Sequence, residues 1–455
     1  MNNRRLFPVS LWALLLAAVP AIGQDTRIIT YDEAIRIALE RNGTLLETVN
    51  AAALRDIAIR EARNQFAPNL ALSASASQSY GRSFSESLGT AVNTDTHSAN
   101  VSLGSGVTLF NGFANIAALR EARLASEASQ LDVQRARETV VFTVAAEFLA
   151  LIQQREQLRV QRENLTAQTA LEEQVQSYVD AGARTIADLY QQQANVAGAR
   201  LQVVQAERAS ELAKVDLTAA LRLDPRGVYE FEPPAAETFA AASERPAVAS
   251  LLDQALAKRA DVNAEQARVG ASDEAVRVAR GGHWPTVSLA AGYGTSYNSA
   301  SNLNFSDQLD ERRGGSVNLS VLFPIFDRGS ASNDTRRAEI AADNARITLD
   351  TQLNDVGLQV RRAYLDFRSA QEQLSAADAK ERAAALFLEA VQDRYSAGAA
   401  TLVEVSLARA AQVQAASDVI GARYGTLFQS TLLDYYVGAL DTGNLTGPPA
   451  ADSKK

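Results

Sequence analysis

The stretch Tyr178-Val-Asp-Ala-Gly-Ala-Arg-Thr-Ile-Ala-Asp-Leu189 returns 216 residues later as Arg394-Tyr-Ser-Ala-Gly-Ala-Ala-Thr-Leu-Val-Glu-Val405. Working outward, Val144-Ala-Ala-Glu-Phe-Leu149 matches Val360-Arg-Arg-Ala-Tyr-Leu365 at the same offset. Val101-Ser-Leu103 and Leu109-Phe-Asn111 match Val317-Asn-Leu319 and Ile325-Phe-Asp327 at 216, and Pro68-Asn-Leu-Ala-Leu72 matches Pro285-Thr-Val-Ser-Leu289 at 217. Shared alanine-rich helix does not produce matching strand-like blocks in one order. The chain reads as a tandem duplication, with a first repeat over 24–223 and a second over 246–440. Residues 224–245 between them, from Asp224-Pro-Arg-Gly227 to Pro233-Pro234 and beyond, have linker chemistry. The tail 441–455 is polar, with Gly and Pro, and reads as disordered.

Each repeat has the same internal order. Residues 31–64 read as helix, opening at Asp32 and stopping before Pro68. From Pro68 the period becomes two: Leu70, Leu72, Ala74, Ala76 and Tyr80 share one face, with serines opposite. Val101, Leu103, Val107 and Leu109 repeat that pattern, as do Val287, Leu289, Ala291 and Tyr293, and then Val317, Leu319, Val321 and Phe323. This predicts strands at 69–81, 98–110, 286–298 and 316–326, joined pairwise by polar loops 82–97 and 299–314. A half-buried sheet of a soluble domain alternates in this way too. Strand length, a serine-rich second face and charge-free strand cores favour a transmembrane barrel, whose strands need about 9–11 residues.

Helical hairpins follow at 114–222 and 329–438. Val144, Leu151, Leu158 and Leu165 recur every seven residues, and Leu189, Val196, Val203 and Leu217 keep that grid, interrupted only by Ser210. Val360, Phe367 and Leu374 repeat it, so each pair packs as an antiparallel coiled coil turning near Gly182 or Gly398. The first long helix should run about 100 Å.

Composition narrows the function. The 455 residues include no cysteine and two histidines, His97 and His283, which excludes thiolate chemistry and argues against a multi-histidine metal site. Net charge is −9, contrary to a generic nucleic-acid binder. No catalytic cluster, phosphate loop or cofactor motif is found, so no enzyme and no cofactor are expected. Arg4 and Arg5, the apolar run Leu11 to Val19, and Ala21-Ile22-Gly23 form a signal peptide over 1–23. An exported coiled-coil scaffold or adhesin would explain the heptads but not two serine-lined hairpins. Four membrane strands cannot close a barrel, and an open edge in lipid is costly. Two chains would supply eight strands and three would supply twelve, the latter leaving room for a lumen.

With these features assembled, the chain resembles TolC-like outer-membrane efflux proteins over almost its whole mature length. The marks are the duplicated unit, the junctions Leu109-Phe-Asn-Gly112 and Pro324-Ile-Phe-Asp327, and the paired turns 181–188 and 397–404. The resemblance implies a mainly α fold with a membrane β-barrel: a homotrimer with a twelve-stranded barrel continuous with a twelve-helix periplasmic α-barrel. It implies a passive exit duct of a tripartite efflux or type I secretion system in the Gram-negative outer membrane. A periplasmic adaptor and an inner-membrane transporter would be its partners, with outer-membrane lipid around the barrel and no nucleic acid. By the family's turn pattern, Asp188 and Glu404 would be the tunnel-entrance acids, and Arg184 with Tyr395 a gate latch. Gly182, Thr185, Ile186, Gly398, Thr401 and Leu402 would form the hairpin tips on which adaptors dock. The chain departs from the pattern at Ala400, where the family has an arginine, and at Leu407, where it has an acid.

Overall fold

The computed structural model describes residues 27–86, 89–232 and 245–440. The segments expected to be a signal peptide (1–23) and a disordered tail (441–455), and linker residues 233–244, lie outside the described residues. The first repeat comprises β1 (Arg27–Ile29), α1 (Tyr31–Arg41), α2 (Gly43–Asn64), β2 (Ala71–Ser85), β3 (Thr90–Asn111), α3 (Ala114–Asp180), α4 (Ile186–Ala220) and β4 (Tyr229–Phe231). The second comprises α5 (Val248–Lys258), α6 (Ala260–Arg280), β5 (Thr286–Asn298), α7 (Phe305–Glu311), β6 (Gly314–Leu322), α8 (Ser330–Ser396) and α9 (Leu402–Val437).

Four differences from the sequence expectation have physical causes. The helix expected over 31–64 is two helices, because the Asn42 side chain accepts a hydrogen bond from Leu45 N and caps α2. The loop expected at 82–97 is largely strand: β2 runs to Ser85 and β3 starts at Thr90. Polar residues such as Arg82, Asp95 and His97 end the apolar alternation there, while the backbone pairing, which needs no particular side chain, continues. The loop expected at 299–314 contains α7. The strand expected at 316–326 begins at Gly314 and ends at Leu322, just before Phe323-Pro324.

The long strands form one antiparallel sheet in the order β2-β3-β5-β6. Its register sorts the side chains. Leu72 pairs with Leu103, Leu103 with Tyr293, Val107 with Leu289, and Leu289 with Leu319, giving an apolar face. Ser75, Asn100 and Ser296 form one row of the other face, and Ser73, Ser102 and Gly294 the next. Serine hydroxyls bridge strands there, Ser73 to Ser102 at 2.8 Å and Ser77 to Ser98 at 2.7 Å. Both faces are open: Leu72 is 73% exposed on the apolar side, and Ser73 and Ser75 are exposed on the other.

The chain turns from sheet to helix by the same device in each repeat. Gly112 and Phe113, then Arg328 and Gly329, adopt left-handed φ values of 59–79°. The preceding Asn111 and Asp327 side chains accept from the amides four residues on, Asn115 N at 3.2 Å and Ala331 N at 2.7 Å. Glycine is required at 112, since a Cβ there would lie 2.7 Å from Gly281 O and from Trp284 Cβ.

Below the sheet the helices form a strip four wide. Near the sheet, α2 packs on α3, α3 on α6, and α6 on α8; further down, α4 packs on α3, α3 on α9, and α9 on α8. Both α3 and α8 have 67 residues, about 100 Å of helix. The seven-residue grid of α4 is buried throughout, Ser210 included. On α3, Val144 and Leu151 are buried, whereas Leu158 and Leu165 are only partly so, and Val160, Gln168, Leu171 and Val175 take over the seam.

A belt around the middle holds the repeats together. On one side Ile29, Ile35 and Phe231 pack with Val144, Phe148 and Leu217; on the other Leu251 and Val262 pack with Val360, Phe367 and Leu433. The parallel pair of β1 with β4 belongs to this belt. Arg259, 2% exposed, joins the two helical layers: it donates to both Asp261 oxygens, Gln359 Oε1 and Tyr436 O. Among the described residues no helix is long and apolar enough to cross a membrane.

Candidate functional site at the helical-hairpin tips

Both hairpins turn by one mechanism. At the end of α3, Ala183 N donates to Tyr178 O at 2.8 Å and Gly182 N to Val179 O at 2.9 Å. At the end of α8, Ala399 N donates to Arg394 O at 2.7 Å and Gly398 N to Tyr395 O at 3.0 Å. These paired bonds satisfy the last helical carbonyls and need a left-handed residue, supplied by Gly182 (φ 72°) and Gly398 (φ 74°).

The next helices open with matching capping boxes. Asp188 N donates to Thr185 Oγ1 while Thr185 N donates back to Asp188 Oδ2 at 3.1 Å. Glu404 N donates to Thr401 Oγ1 while Thr401 N donates back to Glu404 Oε2 at 2.7 Å. Both acids therefore complete helix N-termini. Glu404 also lies 3.6 Å from Arg394. The Thr401 amide and hydroxyl, helped by Arg394, hold the Glu404 carboxyl below its usual pKa.

Arg184 and Tyr395, on different hairpins, are brought together. The guanidinium sits 4.5 Å from the Tyr395 ring centroid, and its Nη2 donates at 3.4 Å to the carbonyls of Tyr395 and Ala400. Thus Ala400 joins the contact through its backbone carbonyl. Tyr395 is 3% exposed and its hydroxyl has no hydrogen-bond partner among the described residues. Burial raises its pKa; Arg184 opposes this and Asp188 adds to it.

The six tip residues do not share one environment. Gly182, Thr185, Gly398 and Thr401 are exposed, as is Ile186 at 52%. Leu402, grouped with them from the sequence, is 3% exposed and packs with Leu171, Val175, Leu189 and Val391. That burial removes it from the surface. Leu407, by contrast, is 68% exposed.

Sequence reasoning missed a polar seam just behind the tips. Gln192, wholly buried, donates to both the backbone and side-chain oxygens of Gln168 at 2.8 Å. Asn195 donates to Ser406 Oγ on α9 at 3.0 Å. Gln192 lies three residues after Leu189 on the same buried stripe but off the seven-residue grid, so a polar side chain at that helical spacing is the signal the sequence offers. Arg409 is half-buried on α9, its Nε has no acceptor among the described residues, and burial lowers its pKa.

Comparison with known proteins agrees with this architecture. The family described as outer membrane efflux protein matches residues 34–221 and again 251–439, one match per repeat. The pyoverdine export outer membrane protein OpmQ of Pseudomonas putida is 25% identical over 309 residues, 68% of this chain and 63% of that one. The outer membrane protein TolC of Escherichia coli is 27% identical over 187 residues, 40% of this chain and 38% of that one. The chain thus spans less than two thirds of the length of these curated relatives. Among solved structures, the outer membrane protein VceC of Vibrio cholerae superposes with a TM-score of 0.77 at 18% identity, covering 90% of this chain and 96% of that one. The open-state outer membrane channel MtrE of Neisseria gonorrhoeae gives 0.73 at 20% identity, covering 90% and 88%. With its duplicated fold and two family matches that together take in most of its length, the chain belongs to the outer membrane efflux protein family.

Proposed function

We propose that the chain is one third of an outer-membrane exit duct. The observation carrying this reading is that, among the described residues, the long-strand sheet, the upper helices and the lower helices are each four elements wide with two unpaired edges. The sheet ends in β2 and β6. The upper helices end in α2 and α8, the lower ones in α4 and α8. The lower edges carry exposed apolar residues: Tyr190, Leu201 and Val204 on α4, and Leu358, Leu365 and Leu386 on α8. Joining each edge to the opposite edge of the next copy closes sheet and helices together, and three copies give twelve strands and twelve helices around one axis. The apolar sheet face then meets lipid, and the serine and asparagine face lines the lumen.

The duct itself is passive. An inner-membrane transporter would supply the energy, and a periplasmic adaptor would engage the exposed tips at Gly182, Thr185, Ile186, Gly398 and Thr401. Asp188 and Glu404 would ring the tunnel entrance. The Asp188 cap uses Oδ2 alone, which leaves Oδ1 to act on passing ions. Arg184 on Tyr395 would hold the two hairpins of one chain in the closed position.

Mass measurement of protein extracted from outer membranes in mild detergent tests the assembly. A three-chain particle supports the reading; a monomer outside the membrane fraction overturns it. Conductance in planar bilayers tests the entrance acids. Asp188→Asn with Glu404→Gln should weaken cation preference, and an unchanged preference would refute that role.

A further inference from the structure

The apolar face of the sheet has an upper boundary. Its last apolar row across three strands is Ala76, Ala99 and Tyr297; the next row on that face is Gln78, His97 and Ser299, and beyond it the paired ends of β2 and β3 carry Tyr80, Phe84 and Ala91 among polar residues. At this boundary the fourth strand is missing. β6 begins at Gly314, paired with Gly294, so Thr295 to Asn298 have no strand on that side. The short helix α7 occupies the place. Gln308, wholly buried, accepts from Asn298 N at 2.9 Å and donates to Leu303 O at 2.8 Å.

The contacts show on which face α7 lies. Thr295 and Tyr297 point to the apolar side, in step with Tyr293 and Leu289. Thr295 Oγ1 donates to Leu309 O at 2.8 Å, and the Tyr297 ring lies 5.1 Å from that of Phe305. The helix is therefore applied to the outside of the wall, level with the last apolar row. There it leaves large apolar groups uncovered: Phe305 is 56% exposed and Leu303 38%. Asp307, Asp310, Glu311, Arg312 and Arg313 accompany them.

We propose that α7 is a membrane-surface element, lying in the headgroup–acyl boundary of the outer leaflet with Phe305 and Leu303 in lipid. This inference rests on the barrel reading above. Two observations commit it to lipid as the occupant. The exposed groups continue the apolar band without a gap, and an aromatic beside charged residues suits that interface. The helix would also plug the wall where β6 stops short and the neighbouring copy's β2 continues.

The chain has no cysteine, so a single introduced cysteine takes a spin label at one site. Phe305→Cys and, because Phe305 supports Tyr297, Leu303→Cys are labelled in the assembled protein in phospholipid vesicles. Collision with oxygen is compared with collision with a water-soluble nickel chelate. Both labels should favour oxygen several-fold more than a label at Arg82. Labels at Leu72 and Leu319, in the middle of the band, report on the barrel itself. If 72 and 319 favour oxygen while 303 and 305 behave like 82, α7 stands in water and the proposal is overturned. If 72 and 319 also favour the nickel chelate, the barrel reading fails.

Discussion

The two hairpin tips are built from one motif and sit in two environments. Each has a left-handed glycine, a threonine cap and a reciprocal acid. Yet Ile186 is 52% exposed, while its counterpart Leu402 is 3% exposed beneath Leu171 and Leu189. Asp188 completes its cap beside Tyr395 on the other hairpin, whereas Glu404 is paired with Arg394 of its own hairpin. Arg184 reaches across, and the equivalent Ala400 receives it. Local sequence thus makes the two turns alike. Packing makes the second a buried floor and the first an outer cover, so substitution at matched positions should separate motif from environment.

The largest separation is expected at the apolar pair. Leu402→Ala should destabilise the tip by about 2–5 kcal/mol, and Ile186→Ala should stay within about 0.5 kcal/mol, measured by hydrogen exchange of the hairpin amides. Equal losses would show that the two tips are packed alike. Next come the glycines. Alanine at 182 or 398 should cost about 1–2 kcal/mol at either site, because both backbones are left-handed and nothing else lies within 4 Å of the added Cβ. Thr185→Ala and Thr401→Ala should each cost about 0.5–2 kcal/mol, again equally, since both remove the same cap.

Smaller effects sharpen the contrast. Tyr395→Phe deletes a buried hydroxyl that has no partner and keeps the ring under Arg184, so stability should hold or rise by up to about 1 kcal/mol. A clear loss in thermal unfolding would mean that the hydroxyl is bonded in the assembled protein. The acid response is the subtlest. The folded pKa of Glu404 is lowered, so its contribution is complete above the unfolded carboxyl pKa and disappears as pH falls through the folded value. Protection of the Thr401 turn, corrected for intrinsic exchange, should therefore fall in acid. In Glu404→Gln it should start lower and no longer follow that titration.

Much of this was legible in the chain. The duplicated turn located both tips, because a glycine followed by a threonine and an acid is local chemistry needing no distant partner. The alternating strands and seven-residue stripes located the sheet and the long hairpins, since burial on one face imposes a period. Legibility failed where that period disappeared. Residues 82–97 pair as strand although Arg82, Asp95 and His97 give them no apolar face. Asn42-Gly43 carried a readable turn signal inside what looked like one helix. The pairing of β1 with β4 rests on six residues about 200 positions apart, too few and too distant for any local pattern.

Sequence by itself determined the four long strands and the two helical hairpins, their duplicated order, the face each long strand offers and the chemistry of the hairpin turns. All of these follow from φ preferences, capping and the spacing of apolar side chains. The tertiary structure decided which equivalent residues are buried. It put Leu402 under the first hairpin, Arg184 on Tyr395, Gln192 against Gln168, and α7 on the apolar face of β5. Those outcomes depend on how two nearly identical repeats lie against each other, and long-range packing of that kind leaves no period in the chain.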